Sequence, residues 1–596
     1  MKKFLGLKQF FYFFFFFFSL IFSNKLYAAN VAADTTYSSS VSGTQYNVTA
    51  DDVDIIVTND STLSRSQKLF NNTDAERTGA TLTIHSGSTI TTTNSNTVFT
   101  GGGEFTITNS GTVSSSNSKS INISNSDSVS ITNNSGGVIS SGGNTILGTA
   151  GSGADNTTID NSGEIFSTKS TSGASAIVVA DNDSGTTITN NAGGSIYSKG
   201  TSSTIILGVS STLTNSGSIK NNKSVDNDAI QLKGNNNTIT LKDGGVVVGK
   251  IKAASGTTGN TLKLNHGVGK SYYYNTSGTF TLEDLDGNNV VKGSAGSVGQ
   301  GGSEFIDESL GYKSLNIRKS LTQFKNSDQF LDRDTAWVET FSSLLKRDGK
   351  SSSLKLESSL VNFGANIIKP LENSNFIISA ETSLQNISKD HDVDRISILS
   401  GFYFNNHQNN TKLKGEYFLL GGIALNKSER IILTNTTTSG LLKTIDDYEN
   451  FEILFGNKLN NSFLIPDIGY TLGYSYTPSH KESKYFDWNN RHVLNISAAI
   501  SDEYTFFQSD KENFSLGWIV DYRTLANNDN QNYKINGTKA SYDQDDELKK
   551  EASFSGNLNY KYKANENSIF SFNLDGFTSS QDVISVLANL VFKFKI

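Results

Sequence analysis

Between residues 106 and 220 the chain states one form five times: an apolar residue, one or two polar ones, then Asn-small-Gly and a second apolar position. The copies are "TITNSGTVS" (106–114), "ITNNSGGVIS" (131–140), "TIDNSGEIFS" (158–167), "TITNNAGGSIYS" (187–198) and "TLTNSGSIK" (212–220). Their asparagines, Asn109, Asn134, Asn161, Asn191 and Asn215, stand 24 to 30 residues apart, and "ITLKDGGVVVGKI" (239–251) continues the series with Asp243 in the Asn place. A near-regular period of this size is the mark of a solenoid, in which each repeat buries its apolar face only against its neighbours. Between the motifs lie second short apolar runs such as "NTILG", "SAIVVA" and "STIILG". The expectation is a parallel β-helix with Ile, Val and Leu inward. The Asn-small-Gly step makes a corner with φ > 0, and the asparagines are placed to form hydrogen-bonded ladders. A disordered Ser/Thr/Asn-rich stalk, the other reading, does not account for aliphatics recurring at fixed spacing.

Composition breaks near residue 300. Eleven aromatic residues lie between Val31 and Gln300, but 39 lie between Gly301 and Ile596, together with all three Trp and all three Pro. The second part alternates with period two. "DIGYTLGYSY" sets Ile468, Tyr470, Leu472, Tyr474 and Tyr476 on one face, and "NFSLGWIVDY" and "SFSGNLNYKY" repeat the pattern. Alternation with aromatics near the strand ends is the signature of a lipid-facing barrel. Twelve such strands can be placed, starting near 335, 354, 374, 394, 411, 447, 463, 488, 512, 550, 567 and 583. Connections after even-numbered strands are short ("LENSN", "NKLNN", "KANEN"). Long ones follow odd-numbered strands, at about 425–446 and 524–549. Short periplasmic turns alternating with long outer loops fit that barrel, and the rival, a soluble β-sandwich, does not need so many aromatics.

Two shorter segments complete the plan. Lys2, Lys3 and Lys8 precede the apolar run Phe10 to Phe22, and "NKLYAAN" offers small residues for cleavage near Ala28 or Ala29. This reads as a secretory signal peptide over 1–28, too short to span a bilayer. "GSAGSVGQGG" (293–302) reads as a flexible linker. After it Ile306, Leu310, Ile317, Leu321 and Phe324 recur at helical spacing, which predicts a helix fit for the inside of the barrel. The domain plan is 1–28 signal, 29–300 β-helix, 301–333 linker and pore helix, and 334–596 barrel.

The fold class is thus all-β, a parallel β-helix, a linker α-helix and a twelve-stranded antiparallel transmembrane barrel. In that order the parts resemble the monomeric autotransporters of Gram-negative bacteria. "AWVETFSSLLKRDGKSSSLKLESSLVNFGANI" (336–367) is similar to the start of their barrels. The resemblance implies a barrel that carries its own passenger outward and anchors it at the cell surface, with the helix left in the pore. It implies partners in outer-membrane lipid, the barrel-insertion machinery, periplasmic chaperones and an extracellular ligand, with the barrel monomeric. Phe592, Phe594 and Ile596 take the place of the C-terminal insertion signal, although Ile596 stands where the family has an aromatic residue. Folding of the last coils, with Val246, Val247, Val248 and Ile251, would draw the passenger outward.

Chemistry is sparse in the passenger. A net charge of −7 with no basic cluster argues against a nucleic-acid partner, and zero cysteine excludes disulfides and thiolate sites. His85 and His266, its only histidines, read as surface residues with no Ser or Asp arrangement near them. Asp181 and Asp183 in "DNDSG" are weak Ca²⁺ candidates, with Asp226 and Asp228 a second pair; all read better as corner turns. Tyr272, Tyr273 and Tyr274 read as a cap on the last rung. No catalytic residue and no cofactor is expected. The alternatives carried forward are an exported β-helix enzyme acting on polysaccharide and a simple outer-membrane channel.

Overall fold

The computed structural model describes residues 28–596 except 59, 73–76, 101–102, 127, 150–153, 180–182, 289, 292, 300–308, 320–334, 350–356, 372–373, 389, 407–412, 462–465, 527–530, 543–548, 566–567 and 596. The signal segment therefore lies outside the described residues up to residue 27. The chain forms two compact units, one of Met1–Lys263 with Thr276–Thr281, the other of Leu264–Asn275 with Leu282–Ile596.

The first unit is a stack of short strands wound as a parallel solenoid, with three sheets of 11, 11 and 9 strands. One coil shows the rule. Thr158–Asn161, Glu164–Ser167 and Ile177–Val178 each belong to a different sheet, and each sends one isoleucine, Ile159, Ile165 and Ile177, into the fully buried core. Each Ile sits in register above another aliphatic of the next coil, as Ile159 does over Ile188 and Ile165 over Ile196. Stacking like on like at about 4.8 Å removes both faces of every rung from water, so stability accrues coil by coil.

The corner carries a ladder of asparagines, but not the one expected in full. Asn109, Asn133, Asn161, Asn190 and Asn215 are buried, and each of the first four donates its Nδ2 to the Oδ1 of the next at 2.8 Å. In the two Asn-Asn doublets the ladder takes the first residue. Asn134 and Asn191 turn outward and bond Ser110 Oγ and Ser162 Oγ at 2.9 and 3.0 Å. The reason is strand parity: Asn133 and Asn190 are two residues beyond the buried Ile131 and Ile188, so they share the inward face. Asp243 does not extend the ladder. Leu241 stacks on Asn215 and Ile84 on Asn109, closing it at both ends with aliphatics.

Corner glycines also serve two purposes. Gly136 and Gly193, in the doublet corners, have φ of 81° and 87°, as the turn expectation required. Gly111, Gly163 and Gly217 do not. There a Cβ would stand 2.2 to 2.3 Å from a carbonyl oxygen of the coil below, so close stacking, not a left-handed backbone, demands glycine.

The second unit is a closed antiparallel barrel. Its twelve strands are Thr335–Arg347, Ser358–Pro370, Asn375–Ser388, His391–Asn406, Leu413–Thr434, Leu441–Asn461, Asp467–Thr477, Arg491–Gln508, Glu512–Ala526, Lys550–Asn565, Ser568–Ser579 and Val583–Lys595. Each pairs with the next, and the last pairs with the first from Thr335↔Lys595 to Arg347↔Val583, which leaves no open edge. The outer face is apolar: Ile584, Val586, Leu590, Phe592 and Phe594 of the final strand are exposed, while Leu587, Asn589 and Val591 point inward. Lys593 faces inward too, 4.8 Å from the centre of the Trp337 ring. The same alternation exposes Ile468, Tyr470, Leu472 and Tyr474, and Leu516, Val520 and Tyr522. Such a surface, contiguous around a closed barrel, is soluble only in lipid. Among the described residues no helix is long and apolar enough to cross a membrane.

Two expected loops are ordered instead. Residues 425–446 continue the fifth and sixth strands into a hairpin that turns at 435–440, which makes these strands 22 and 21 residues long. The connection 524–549 contains Gln531–Ile535 and Thr538–Tyr542, which join His480–Lys481 and Phe486–Trp488 in a four-stranded sheet. Nor is the whole of 293–302 a free linker, because Ala295–Ser297 pairs antiparallel with Tyr272–Tyr274.

Candidate functional site

A helix over 309–319 lies inside the barrel, and ten of its eleven residues are buried. Leu310 and Ile317 pack in one apolar cluster with Trp337, Ile368, Leu420 and Leu454 of the wall. Gly473 makes room for it, since a Cβ there would stand 2.9 Å from Ser314 Oγ and 3.4 Å from Leu310 Cγ. Eleven residues of helix cover about 16 Å, a large part of an apolar belt about 25 Å tall.

Cations on the helix meet carboxylates on the wall. Lys313 Nζ is 3.1 Å from Glu452 Oε2 and 2.5 Å from Ser397 Oγ, Arg318 Nη2 is 3.0 Å from Asp521, and Lys319 Nζ is 2.5 Å from Asp575 and 3.1 Å from Ser555 Oγ. Tyr312 donates its hydroxyl to Glu551 at 3.1 Å, and the Arg523 guanidinium sits 4.1 Å from the centre of its ring. Glu452 and Glu551 also take Arg395 and Arg523 of the wall. Desolvating these charges costs several kcal/mol each, offset only because nearly every charge has an opposite partner at hydrogen-bonding distance. The result is a helix held in one rotation and at one depth.

The helix has a direction. Leu310, near its start, borders a cavity lined by His391, Arg430 and Trp488, on the side of the long hairpin. Arg318 and Lys319, at its end, border another with Lys458, Gly469 and Ala499, toward the short turns. The chain therefore enters the lumen from the hairpin end and runs toward the short-turn end, where the first strand begins.

The residues before the helix close that hairpin end. Ser271–Tyr274 adds to the fifth barrel strand in parallel, Ser271↔Ile432 to Tyr273↔Thr434. Arg430 Nη1 donates to Ser271 Oγ at 3.0 Å and to Val298 O at 2.9 Å, and Asn275 and Asn435 bond each other reciprocally at 2.7 and 2.9 Å. Tyr273, Val298, Ile432, Phe486, Trp488 and Ile535 form the apolar centre of this cap. Burial pushes Glu482 of this cap up from the usual carboxylate range, against the opposing pull of Arg430. His266 is buried rather than on the surface: its ring centre lies 5.5 and 5.7 Å from those of Tyr272 and Tyr274, and its Nε2 is 3.0 Å from Tyr274 Oη. Tyr272 donates to Asp284 at 2.5 Å; burial, then that carboxylate, hold its ionisation far above the usual tyrosine range.

Of the pore-helix residues read from the sequence, Leu310 and Ile317 pack against the wall, and Ile306, Leu321 and Phe324 lie outside the described residues. Phe592 and Phe594 are on the outer face, and Ile596 lies outside the described residues. So does Asp181, while Asp183 is buried between coils. Among the described residues no group of three or more His, Asp or Glu could hold a metal ion. Sequence reading missed Lys313, Arg318 and Lys319 and their carboxylate partners. The signal was present as acids on the inward parity of barrel strands, Glu452, Asp521, Glu551 and Asp575.

No family model matches the chain, and no curated protein sequence matches it. Among solved structures the barrel is similar to the translocator domain of the autotransporter NalP from Neisseria meningitidis, at 10% identity over 50% of this chain and 99% of that one, with a TM-score of 0.35. It is also similar to the β domain of the Bordetella autotransporter BrkA (5% identity, 44% and 100% covered, TM-score 0.30) and to the transport unit of the autotransporter AIDA-I from Escherichia coli (8%, 45% and 93%, 0.30). What decides the architecture is the order and geometry of the parts. The chain thus runs as a β-solenoid, a helix in the lumen and a closed twelve-stranded antiparallel barrel, the order of parts that the sequence resemblance to monomeric autotransporters implies.

Proposed function

We propose that the barrel anchors this chain in the outer membrane and that the solenoid is its passenger, displayed at the cell surface as an adhesive or interaction module. The observation that carries this reading is the threaded helix, with the preceding chain at the hairpin end and the first strand starting at the other. A twelve-stranded barrel has room for one helix or extended strands but not for a folded solenoid, so the passenger would cross unfolded and wind up outside. An N-terminal signal peptide would bring the chain to the periplasm, where chaperones and the barrel-insertion machinery would receive it. The passenger's role is read as non-enzymatic, because the outward face of its second sheet carries short polar side chains in long repeats and its sequence holds no convergent set of acids, bases and nucleophiles. The channel reading is disfavoured by the same helix, which is packed and ion-paired inside the lumen.

Protease shaving of intact cells, followed with antibodies against residues 100–250, tests this. Loss of the passenger signal with the barrel intact is the expected result. A passenger protected until the outer membrane is broken would overturn it.

A further inference from the structure

The second sheet of the solenoid presents an outward face of unusual regularity. Seven successive strands, from Ala80–Ile84 to Thr238–Lys242, stack in unbroken register and give two outward columns. The first column runs from Thr81 to Thr238 and the second from Thr83 to Thr240. Of these fourteen positions, all but Ser130 and Asp160 are threonine.

Strand propensity does not explain this. The third sheet, in the same coils and equally in register, places Val138, Glu164 and Ser195 in one outward column and Phe166, Tyr197 and Lys220 in the next. Its positions tolerate anything that fits a pleated surface. The second sheet keeps threonine along nearly both columns, whereas the third keeps it in register only from Thr62 through Thr89 to Thr112. Its hydroxyls are also idle: among the described residues, none of the threonines from Thr106 to Thr240 in either column has a side-chain hydrogen bond to the protein, whereas Thr97, Thr145 and Thr204 at other corners all do.

Such a face is a two-dimensional lattice. Strands repeat at about 4.8 Å, alternate residues of one strand at about 6.6–6.8 Å. Threonine is β-branched and stiff at χ1, so hydroxyls and methyls are held in rows before anything binds, and little rotamer entropy is lost on contact. A flexible glycan would be expected to meet aromatic faces or carboxylates, and this array holds no ring and only one acid. A crystal of water asks for what is here. The oxygen rows on the prism face of hexagonal ice repeat at distances close to these two, each hydroxyl can stand in for a lattice oxygen, and the methyl rows leave the waters between them bonded to one another.

We propose that this threonine face binds ice, with the passenger as an ice-attachment surface. The inference concerns the solenoid alone and goes beyond the display reading. Shaving tests where the passenger lies and the experiment below tests what it binds, so the two can fail separately.

The full chain in lipid nanodiscs is placed in water from which ice is grown slowly, and its partition into the ice is compared with that of empty nanodiscs. Thr189→Tyr with Thr214→Tyr, adjacent in the second column, breaks the lattice. Ser195→Tyr with Ser218→Tyr makes the same change on the third sheet. Wild type and the third-sheet variant should enter the ice severalfold above empty nanodiscs, and the threonine variant should fall to their level, with circular dichroism unchanged. Wild type excluded from ice, or all three incorporated equally, would overturn the proposal. So would exclusion from ice together with retention on microcrystalline cellulose or chitin that the threonine variant loses, which would make the face a polysaccharide platform.

Discussion

Lys313 Nζ lies 3.1 Å from Glu452 Oε2 in the barrel lumen, with the two side chains 4% and 1% exposed. Because Glu452 also takes Arg395, one carboxylate holds a cation of the helix and a cation of the wall. Glu452→Gln would leave both cations facing a neutral group, a loss of about 3–5 kcal/mol for a broken buried pair. The helix should then leave its seat, and the pore should open. Planar-bilayer recordings are expected to show a mostly closed wild type and a clearly conducting variant; an equally closed variant would argue that apolar packing alone seats the helix.

Asn161 links Asn133 to Asn190 in the buried ladder, whereas Asn134 bonds only at the surface. Asn161→Ala should cost about 1–3 kcal/mol, since it strands a donor on one side and an acceptor on the other. Asn134→Ala should stay within about 0.5 kcal/mol. Hydrogen exchange read by mass spectrometry would show protection lost in the coils flanking residue 161 and kept in those flanking residue 134.

Gly163 and Gly193 should fail for different reasons when replaced by alanine. At Gly163 the new methyl would sit 2.2 Å from Gly137 O, so adjacent coils must part, at about 1–3 kcal/mol. At Gly193 there is open space but φ is 87°, and the cost is backbone strain of about 1–2 kcal/mol. Urea unfolding should show both losses, while hydrogen exchange of the folded variants should show the coils disturbed only in the first, as altered protection in residues 131–140.

Tyr272 is held neutral by burial and by Asp284, so its folded ionisation lies above its unfolded value of about 10. The sign follows: its contribution is complete below about pH 10 and is lost as pH rises beyond that, because the unfolded chain releases the proton first. Tyr272→Phe should lower stability at neutral pH through the lost hydrogen bond yet flatten the loss between about pH 10 and 11.5. Near-UV circular dichroism against pH would check it, and parallel alkaline curves for the two proteins would count against the assignment.

The solenoid and the barrel were legible because each is written in a local period. Repeats 24 to 30 residues apart announce coils, and alternation of Ile468, Tyr470, Leu472 and Tyr474 with small polar residues announces a strand with lipid on one side. Less legible was anything set by register. Choosing Asn134 over Asn133 is a one-residue slip, and in a strand one residue exchanges the inward face for the outward. The hairpin at 425–446 lies among residues that the alternating lipid pattern does not mark as strand. The pattern lapses there because that part of the fifth and sixth strands extends past the apolar belt.

By itself, the sequence settled that this chain meets two solvents, with aliphatic rungs in one part and an aromatic, alternating lipid face in the other, since burial in a solenoid and exposure to lipid select residues at short range. Tertiary structure alone decided which Asn joins the ladder, that His266 is buried between tyrosines, and that Lys313, Arg318 and Lys319 find carboxylates 139 to 256 residues away. Partners so distant leave no periodic trace in the chain. Each is only a lone charge on the inward parity of a strand until closure of the barrel brings them together.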